Sequence, residues 1–354
     1  MSPHNNVEII DEVYIKRCIQ LAALGSGFTA PNPMVGSVLV YKNKIIGEGY
    51  HQIYGQAHAE VNCINSVADE DKSFINQSTL YVSLEPCAHF GKTPPCADLI
   101  LKYNIPRVVI GCLDPFVEVQ GRGIEKLVNA GIKVTTGILE KDCLELNKRF
   151  ITFQLKKRPF IVLKWAETAN HFIGNNNDER LLISNKLTNK LIHKWRSEEA
   201  AILVGTKTAL KDNPSLNNRL WYGKQPIRLV IDKQLEIPIT HYLLNKEQQT
   251  IVFNYLIDSE ELNLHYYQLN KEKELLQQIL DACYKLNIQS ILVEGGNKTL
   301  QTFIEAGIWD EARIITNKEL TITDGIVAPM LTNAVITNEI NIASDHIMYF
   351  KNYA

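Results

Sequence analysis

The 354-residue chain contains no run of 18 apolar residues, which leaves no membrane-spanning helix to be expected. Its cysteines do not form a framework. Seven thiols, an odd number without regular spacing, suit a reducing compartment better than a disulfide scaffold, and a cytoplasmic location is expected. No excess charge of one sign is present either. Net charge is -2, with 37 Lys+Arg against 39 Asp+Glu and no basic stripe. Affinity for phosphate backbones comes from clustered Lys and Arg, so no nucleic-acid partner is expected. The polar start Met1-Ser2-Pro3-His4-Asn5-Asn6 lacks a signal-peptide core, so a soluble chain with no membrane partner is expected. What is present is 45% hydrophobic content, over a length suited to about two domains.

His58-Ala59-Glu60 is followed by Pro86-Cys87 and by Pro94-Pro95-Cys96. One imidazole and two thiols are zinc ligands by type. Three protein ligands leave the fourth tetrahedral position to water, which separates a catalytic zinc from a closed structural one. The metal makes such a water reactive near neutral pH. Glu60, not needed as a ligand, can take its proton and pass it to a departing amine, the chemistry of hydrolytic deamination. Positions two apart on a helix diverge by roughly 200°, so His58 and Glu60 converge only at a helix start, which Gly55-Gln56-Ala57 supplies. Pro94-Pro95 opens the apolar run from Ala97 to Leu101 and puts Cys96 at a helix N-terminus, where the dipole favours a thiolate. The competing reading is a surface histidine and two buried free cysteines. Cys18, Cys63, Cys112, Cys143 and Cys283 lie in apolar runs without a second ligand and read as small core residues.

The basic run Lys156-Lys157-Arg158 before Pro159 is the best boundary. Before it, the pattern predicts a helix from Asp11 to Leu24 and a hairpin of Val35 to Val40 with Ile45 to Gly49 through Lys42-Asn43-Lys44. Helices are expected at Ala59, Ala97 and Gly123. Buried strands are expected at Thr79 to Leu84, Arg107 to Leu113 and Ile132 to Thr136, so that five strands in all carry helices. One helix from Glu140 to about Leu155 closes this half. Beyond the joint, strands are expected at Phe160 to Trp165, Ala200 to Gly205, Pro226 to Ile231, Thr250 to Asn254, Ser290 to Val293 and Ala312 to Thr316. Amphipathic helices lie between them, clearest from Glu272 to Leu286. The tail from Met330 shows no clear period, and there is no internal repeat.

Glu294-Gly295-Gly296-Asn297-Lys298-Thr299 follows a strand and opens a helix, which lets backbone amides approach a phosphate; two glycines alone more often mark a tight turn. Ile227 to Ile231 ends at Asp232-Lys233, and ligands gather at the carboxyl ends of strands in α/β sheets. Lys233 is thus placed to meet an anionic group of a ligand bound there, with an exposed turn lysine as the competing reading.

Eight residues separate Cys87 from Cys96, where cytidine and tRNA-adenosine deaminases usually place two. The segment Pro86-Cys87-Ala88-His89-Phe90-Gly91-Lys92-Thr93-Pro94-Pro95-Cys96 closely resembles the deaminase of riboflavin biosynthesis. So do Pro31-Asn32-Pro33-Met34-Val35-Gly36, Gly49-Tyr50-His51, Asp114-Pro115 and Gly121-Arg122-Gly123. In the second half, Lys164, Gly205 to Thr208, Asp212 to Leu216, Arg219 and Pro226 to Asp232 resemble the reductase fused to it.

The resemblance implies a bifunctional enzyme of α/β class. A cytidine-deaminase-like α/β/α domain would span residues 1–150, and a dihydrofolate-reductase-like α/β domain residues 158–354. It implies Zn2+ and NADPH as cofactors, a small phosphorylated pyrimidine as substrate, and a homo-oligomer. By position, Asn32, His51, Lys92 and Asp114 would contact the deaminase substrate. Lys164, Arg196, Leu216, Arg219 and Glu294 would hold the reductase substrate, and Ala166, Thr208, Asp212, Gly296, Asn297, Lys298 and Thr299 the NADPH. The family has an Asp-Gly pair where Asn170-His171 stands, often a Trp at Leu182, a small polar group at Arg180 and a polar residue at Phe116. Two alternatives stay open: a zinc deaminase of another base with a non-catalytic reductase-like domain, and a zinc-stabilised binding module.

Overall fold

The computed structural model describes residues 3–90, 94–115, 121–177 and 181–353. Lys92, Phe116 and Arg180 lie outside the described residues. The chain separates into two compact units, Met1–Lys156 and Lys157–Ala354. Among the described residues no helix is long and apolar enough to cross a membrane.

The first unit runs α1 (Pro3–Ala23), β1 (Gly36–Tyr41), β2 (Lys44–Tyr50), α2 (Ala59–Asn65), β3 (Thr79–Leu84), α3 (Cys96–Lys102), β4 (Arg107–Cys112), α4 (Arg122–Asn129), β5 (Lys133–Thr136), α5 (Glu140–Leu146) and α6 (Lys148–Lys156). The five strands form one sheet ordered β2-β1-β3-β4-β5. Lys42 and Asn43 both take positive φ, 45° and 63°, which matches a two-residue turn to the twist of the β1–β2 hairpin. Alternate strand residues feed two cores. Val38, Val40, Tyr81 and Val109 meet Ile15, Cys18 and Leu21 of α1. Leu39, Leu80, Val108 and Ile110 meet Cys63 of α2, Ile100 of α3 and Leu127 of α4. Period-two apolar runs thus give a sheet with helices on both faces.

The second unit continues with β6 (Phe160–Thr168), β7 (Phe172–Gly174), α7 (Lys186–Glu198), β8 (Ala201–Gly205), α8 (Thr206–Asp212), β9 (Ile227–Ile231), β10 (Thr250–Asn254), β11 (Ser259–Glu261), β12 (Leu264–Gln268), α9 (Leu275–Lys285), β13 (Ser290–Val293), α10 (Asn297–Glu305), β14 (Glu311–Asn317), β15 (Ile326–Val327), β16 (Ala334–Ile342) and β17 (Asp345–Asn352). Ten strands form one sheet ordered β11-β12-β10-β9-β8-β13-β6-β14-β17-β16. From β12 to β14 all neighbours are parallel. The carboxyl ends of β6, β8, β9 and β13 therefore share one edge, where bound ligands gather. Ile161, Leu203, Leu229 and Ile291 enter one core, and Val162, Ile202, Val230 and Leu292 the other.

One expectation is corrected. The helix expected from Glu140 to Leu155 is two helices broken at Asn147, which is 2% exposed. Its side chain accepts from Met34 N (2.8 Å) and donates to Met34 O (2.9 Å). The tail from Met330, whose sequence shows no clear period, contains the hairpin β16–β17. Its outermost strand is largely exposed on both faces and therefore shows no alternation.

Candidate active sites

In the first unit, His58 is the N-cap of α2 and Glu60 lies in its first turn. Gly49 of β2 makes the close approach possible, since a Cβ there would stand 2.2 Å from Cys63 N. Cys96 opens α3, and its N–H donates to Cys87 Sγ at 3.3 Å. His58 Nδ1 lies 3.6 Å from Cys87 Sγ and 3.3 Å from Cys96 Sγ. Among the described residues, these three form the group whose ligand atoms lie within 4.8 Å of one another and could hold a metal. Tetrahedral bonds of ~2.3 Å to sulfur and ~2.0 Å to nitrogen put those atoms about 3.5 Å apart, so the donor set fits zinc in type and spacing. The hydrogen bond from Cys96 and the His58 ring hold the Cys87 thiol far down, at about 4, while its partner Cys96 is pushed up by the shared proton and by burial.

A cavity of about 360 Å³ opens beside this cluster, lined by Asn32, His51, His58, Glu60, Cys87 and Asp114 among others. Burial, and then the Cys87 charge, push the Glu60 carboxyl up to about 7. A carboxyl poised there can both accept and return a proton at neutral pH. His51 Nδ1 lies 3.0 Å from Ala57 O, which assigns its proton to that nitrogen and leaves Nε2 to accept from Asn32 Nδ2 at 3.2 Å.

In the second unit, Arg196 of α7 forks onto Glu294, Nε to Oε1 at 2.8 Å and Nη2 to Oε2 at 2.7 Å. Lys164 Nζ lies 3.9 Å from the same carboxylate. Burial raises the Glu294 carboxyl, but the Arg196 and Lys164 charges outweigh it and hold the group down at about 2. Arg219 joins through Asn217, whose side-chain oxygen accepts from Arg219 Nη1 at 2.8 Å and whose carbonyl accepts from Arg196 Nη1 at 3.2 Å. Leu216, buried with φ of 44°, begins this turn.

The glycine turn lies at the end of β13, beside the end of β8. Thr208 Oγ accepts from Gly296 N at 2.9 Å. A Cβ on Gly205 would stand 2.7 Å from Thr299 Oγ, and one on Gly296 3.0 Å from Thr208 Oγ. The sequence of α10 supplies no side-chain cap. The result is a backbone cradle at two adjacent helix starts, suited to the phosphates of a dinucleotide. Asn297 Nδ2 donates to Val327 O at 2.9 Å. Ala166 stands two residues after Lys164 in β6, Asp212 closes α8, and Lys298 lies in the first turn of α10. Lys233 follows β9, with its ammonium 5.9 Å from the Tyr255 ring.

Two family models match the chain. The cytidine and deoxycytidylate deaminase zinc-binding region covers residues 9–112 and the RibD C-terminal domain residues 159–317. The riboflavin biosynthesis protein RibD of Aquifex aeolicus is 38% identical over 97% of this chain and 99% of its own length. That of Escherichia coli is 33% identical over 85% and 86%. The chain belongs to the RibD family. The solved deaminase/reductase of Thermotoga maritima, 34% identical, superposes with a TM-score of 0.87 over 98% of this chain and 99% of its own. Acinetobacter baumannii RibD gives 0.88 at 27% identity, over 98% and 100%. As a family member, the enzyme is a deaminase and a reductase of riboflavin biosynthesis, with a cytidine-deaminase-like domain and a reductase domain, and its cofactors are zinc and NADPH.

Several site residues escape sequence reasoning. Asn147 braces the loop that carries Asn32, and Glu85 binds backbone amides beside Asp114. His193, one helical turn before Arg196, accepts from the Arg219 N–H at 3.1 Å. Only His193 leaves a signal in the sequence, its three-residue spacing from Arg196.

Proposed function

We propose that residues 1–150 carry out hydrolytic deamination of the diaminopyrimidinone ribosylamine phosphate and residues 158–354 the NADPH-dependent reduction of its ribosyl group to ribityl. One observation carries the reading: the His58, Cys87 and Cys96 ligand atoms converge beside a cavity lined by His58, Cys87, Glu60, Asn32, His51 and Asp114. Zinc supplies the Lewis acid that activates water, and NADPH supplies the hydride.

The protein's own part is positioning and proton transfer. His58, Cys87 and Cys96 hold the metal. Glu60 takes a proton from the attacking water and delivers it to the departing amine, which leaves as ammonia. Asn32, His51 and Asp114, together with Lys92, hold the pyrimidine and its phosphate. In the second unit Arg219 binds phosphate through its fork of donors, while Arg196, whose fork is engaged with Glu294, adds its charge to the phosphate site and holds that carboxylate in place. Lys164 and Glu294 orient the ribosyl end, and Leu216 packs beneath it. Thr208 and Gly296 to Thr299 cradle the diphosphate of NADPH, while Ala166, Asp212 and Lys233 complete its site, Lys233 toward the 2′-phosphate. The enzyme works in the cytoplasm as a homo-oligomer, which light scattering of the purified chain tests.

The decisive assay feeds the aminopyrimidine phosphate to the enzyme and follows ammonia release and NADPH consumption separately. Glu60→Gln should retain about one zinc per chain by metal analysis while ammonia release falls by roughly 10² to 10⁴. NADPH consumption on the already deaminated intermediate should continue. Zinc lost from Glu60→Gln, or full deamination retained, removes Glu60 from the proton-transfer role.

A further inference from the structure

Glu85 follows β3 directly and is 5% exposed. Its carboxylate is engaged on three sides by backbone donors. Oε2 accepts from Asp114 N at 3.3 Å and from Gly121 N at 3.0 Å, and Oε1 accepts from Gly123 N at 3.1 Å. Its own N–H donates to Cys112 O at 3.0 Å, at the end of β4. These bonds reach both the residues that leave β4 and the residues that begin α4.

The head of α4 needs such a partner. Its N-cap is Gly121, with φ of 80° and no side chain to bond the first amides. A carboxylate from another element supplies both acceptor and charge at that end of the helix. The approach is as close as the chain allows, since a Cβ on Gly123 would stand 2.0 Å from Pro86 O. Glu85-Pro86-Cys87 thus binds Asp114 and the helix head through its first residue, touches α4 through its second, and presents a thiol to the metal cluster through its third. Glu85, Asp114 and Glu60 all line the same cavity. With three N–H groups on its two oxygens, the Glu85 carboxylate is committed to holding backbone, and Glu60 is left as the proton carrier.

We infer that Glu85 is a positioning residue of the deaminase, fixing Asp114 relative to Cys87 so that substrate is held in register with the metal. The inference rests on the reading of Asp114 as a substrate contact, and the experiment separates the two. In the full-length, zinc-loaded enzyme, Glu85→Gln turns one acceptor oxygen into a donor facing N–H groups. It should raise the deaminase KM by about tenfold, the scale of a charge-assisted hydrogen bond. Zinc content and kcat should change little, and reductase turnover on the deaminated intermediate serves as the folding control.

Asp114→Asn should raise KM comparably, and the double variant should be no worse than the Asp114 variant alone, because Glu85 acts through Asp114. Glu85→Asp, which keeps the charge on a shorter arm, should give an intermediate KM and is the decisive variant where the Gln chain does not fold. A wild-type KM in either Glu85 variant, loss of zinc, or KM increases that multiply in the double variant would overturn the proposal. If Asp114→Asn itself leaves KM unchanged, the substrate role of Asp114 fails, and the proposal fails with it.

Discussion

His193 is 3% exposed and lies among Arg196, Arg219 and Lys164, with Glu294 as the nearby anion. It accepts the Arg219 amide through Nδ1, so that nitrogen carries no proton. Burial, then the Arg196 and Arg219 charges, hold its pKa down at about 4, against an ordinary value of 6.5. The folded chain therefore refuses a proton that the unfolded chain accepts. Stability is complete above about 6.5 and is lost as pH falls toward 4. Glu294, held at about 2, begins to cost stability only below its ordinary 4.5, whereas Glu60, raised to about 7, takes up its proton between pH 7 and 5, so the histidine is isolated by the difference between wild type and a His193 variant over that window. Over that window the loss should be on the order of 2 kcal/mol. His193→Asn keeps an acceptor but does not titrate, so its thermal midpoint should gain on wild type as pH drops from 7 to 5. Parallel midpoint curves would show that His193 is not buried neutral. The zinc site was legible in the sequence because ligand types are spelled out along the chain. Glu85 and Asn147 were not, because each acts on backbone amides, which nearly every residue offers, and His193 left only its three-residue spacing from Arg196.

At the scale of elements, the turn between β6 and β7 places a histidine where glycine would be unstrained. His171 takes φ of 62°, the left-handed region that glycine enters without strain. Such a conformation costs a residue with a Cβ about 1 to 2 kcal/mol. His171 Nδ1 meets Glu167 Oε1 at 2.8 Å, and the same buried carboxylate accepts from Trp165 Nε1 at 2.8 Å. The imidazole is largely exposed, so this contact offsets at most about 1 kcal/mol of the strain. His171→Gly should leave stability equal or slightly higher. His171→Ala keeps the strain without the contact, and should fall below the Gly variant by about 1 kcal/mol. Denaturant midpoints for the two variants decide it; an Ala chain as stable as the Gly chain would mean the turn is unstrained. Strands buried on both faces were legible as unbroken apolar runs, as Ser290–Val293 illustrates. The β16 edge strand and the Asn147 break were not, the first for want of burial and the second because a tertiary amide contact stops a helix whose pattern continues.

At the scale of the whole molecule, the question is whether each unit sustains its own fold. Both contain a sheet whose two faces are filled from within the unit. Leu39, Leu80 and Ile100 are fully buried in the first, and Ile161, Leu163 and Phe253 in the second. The units end and begin at Lys156 and Lys157. A domain of ~150 residues buries roughly 68–70% of the surface of its unfolded chain, enough for independent stability. Chains spanning residues 1–157 and 158–354 should therefore each fold, with cooperative thermal transitions by circular dichroism. The first should bind about one zinc by metal analysis and keep its affinity for the aminopyrimidine phosphate, since every residue lining its cavity lies within it. The second should bind NADPH in a fluorescence titration, since the cradle of Gly205, Thr208 and Gly296 to Thr299 is built from its own strand ends. If both pieces are soluble but only the full chain binds its ligands, each site draws on residues beyond its own unit. If neither piece melts cooperatively, the two cores are one folding unit despite their separate sheets.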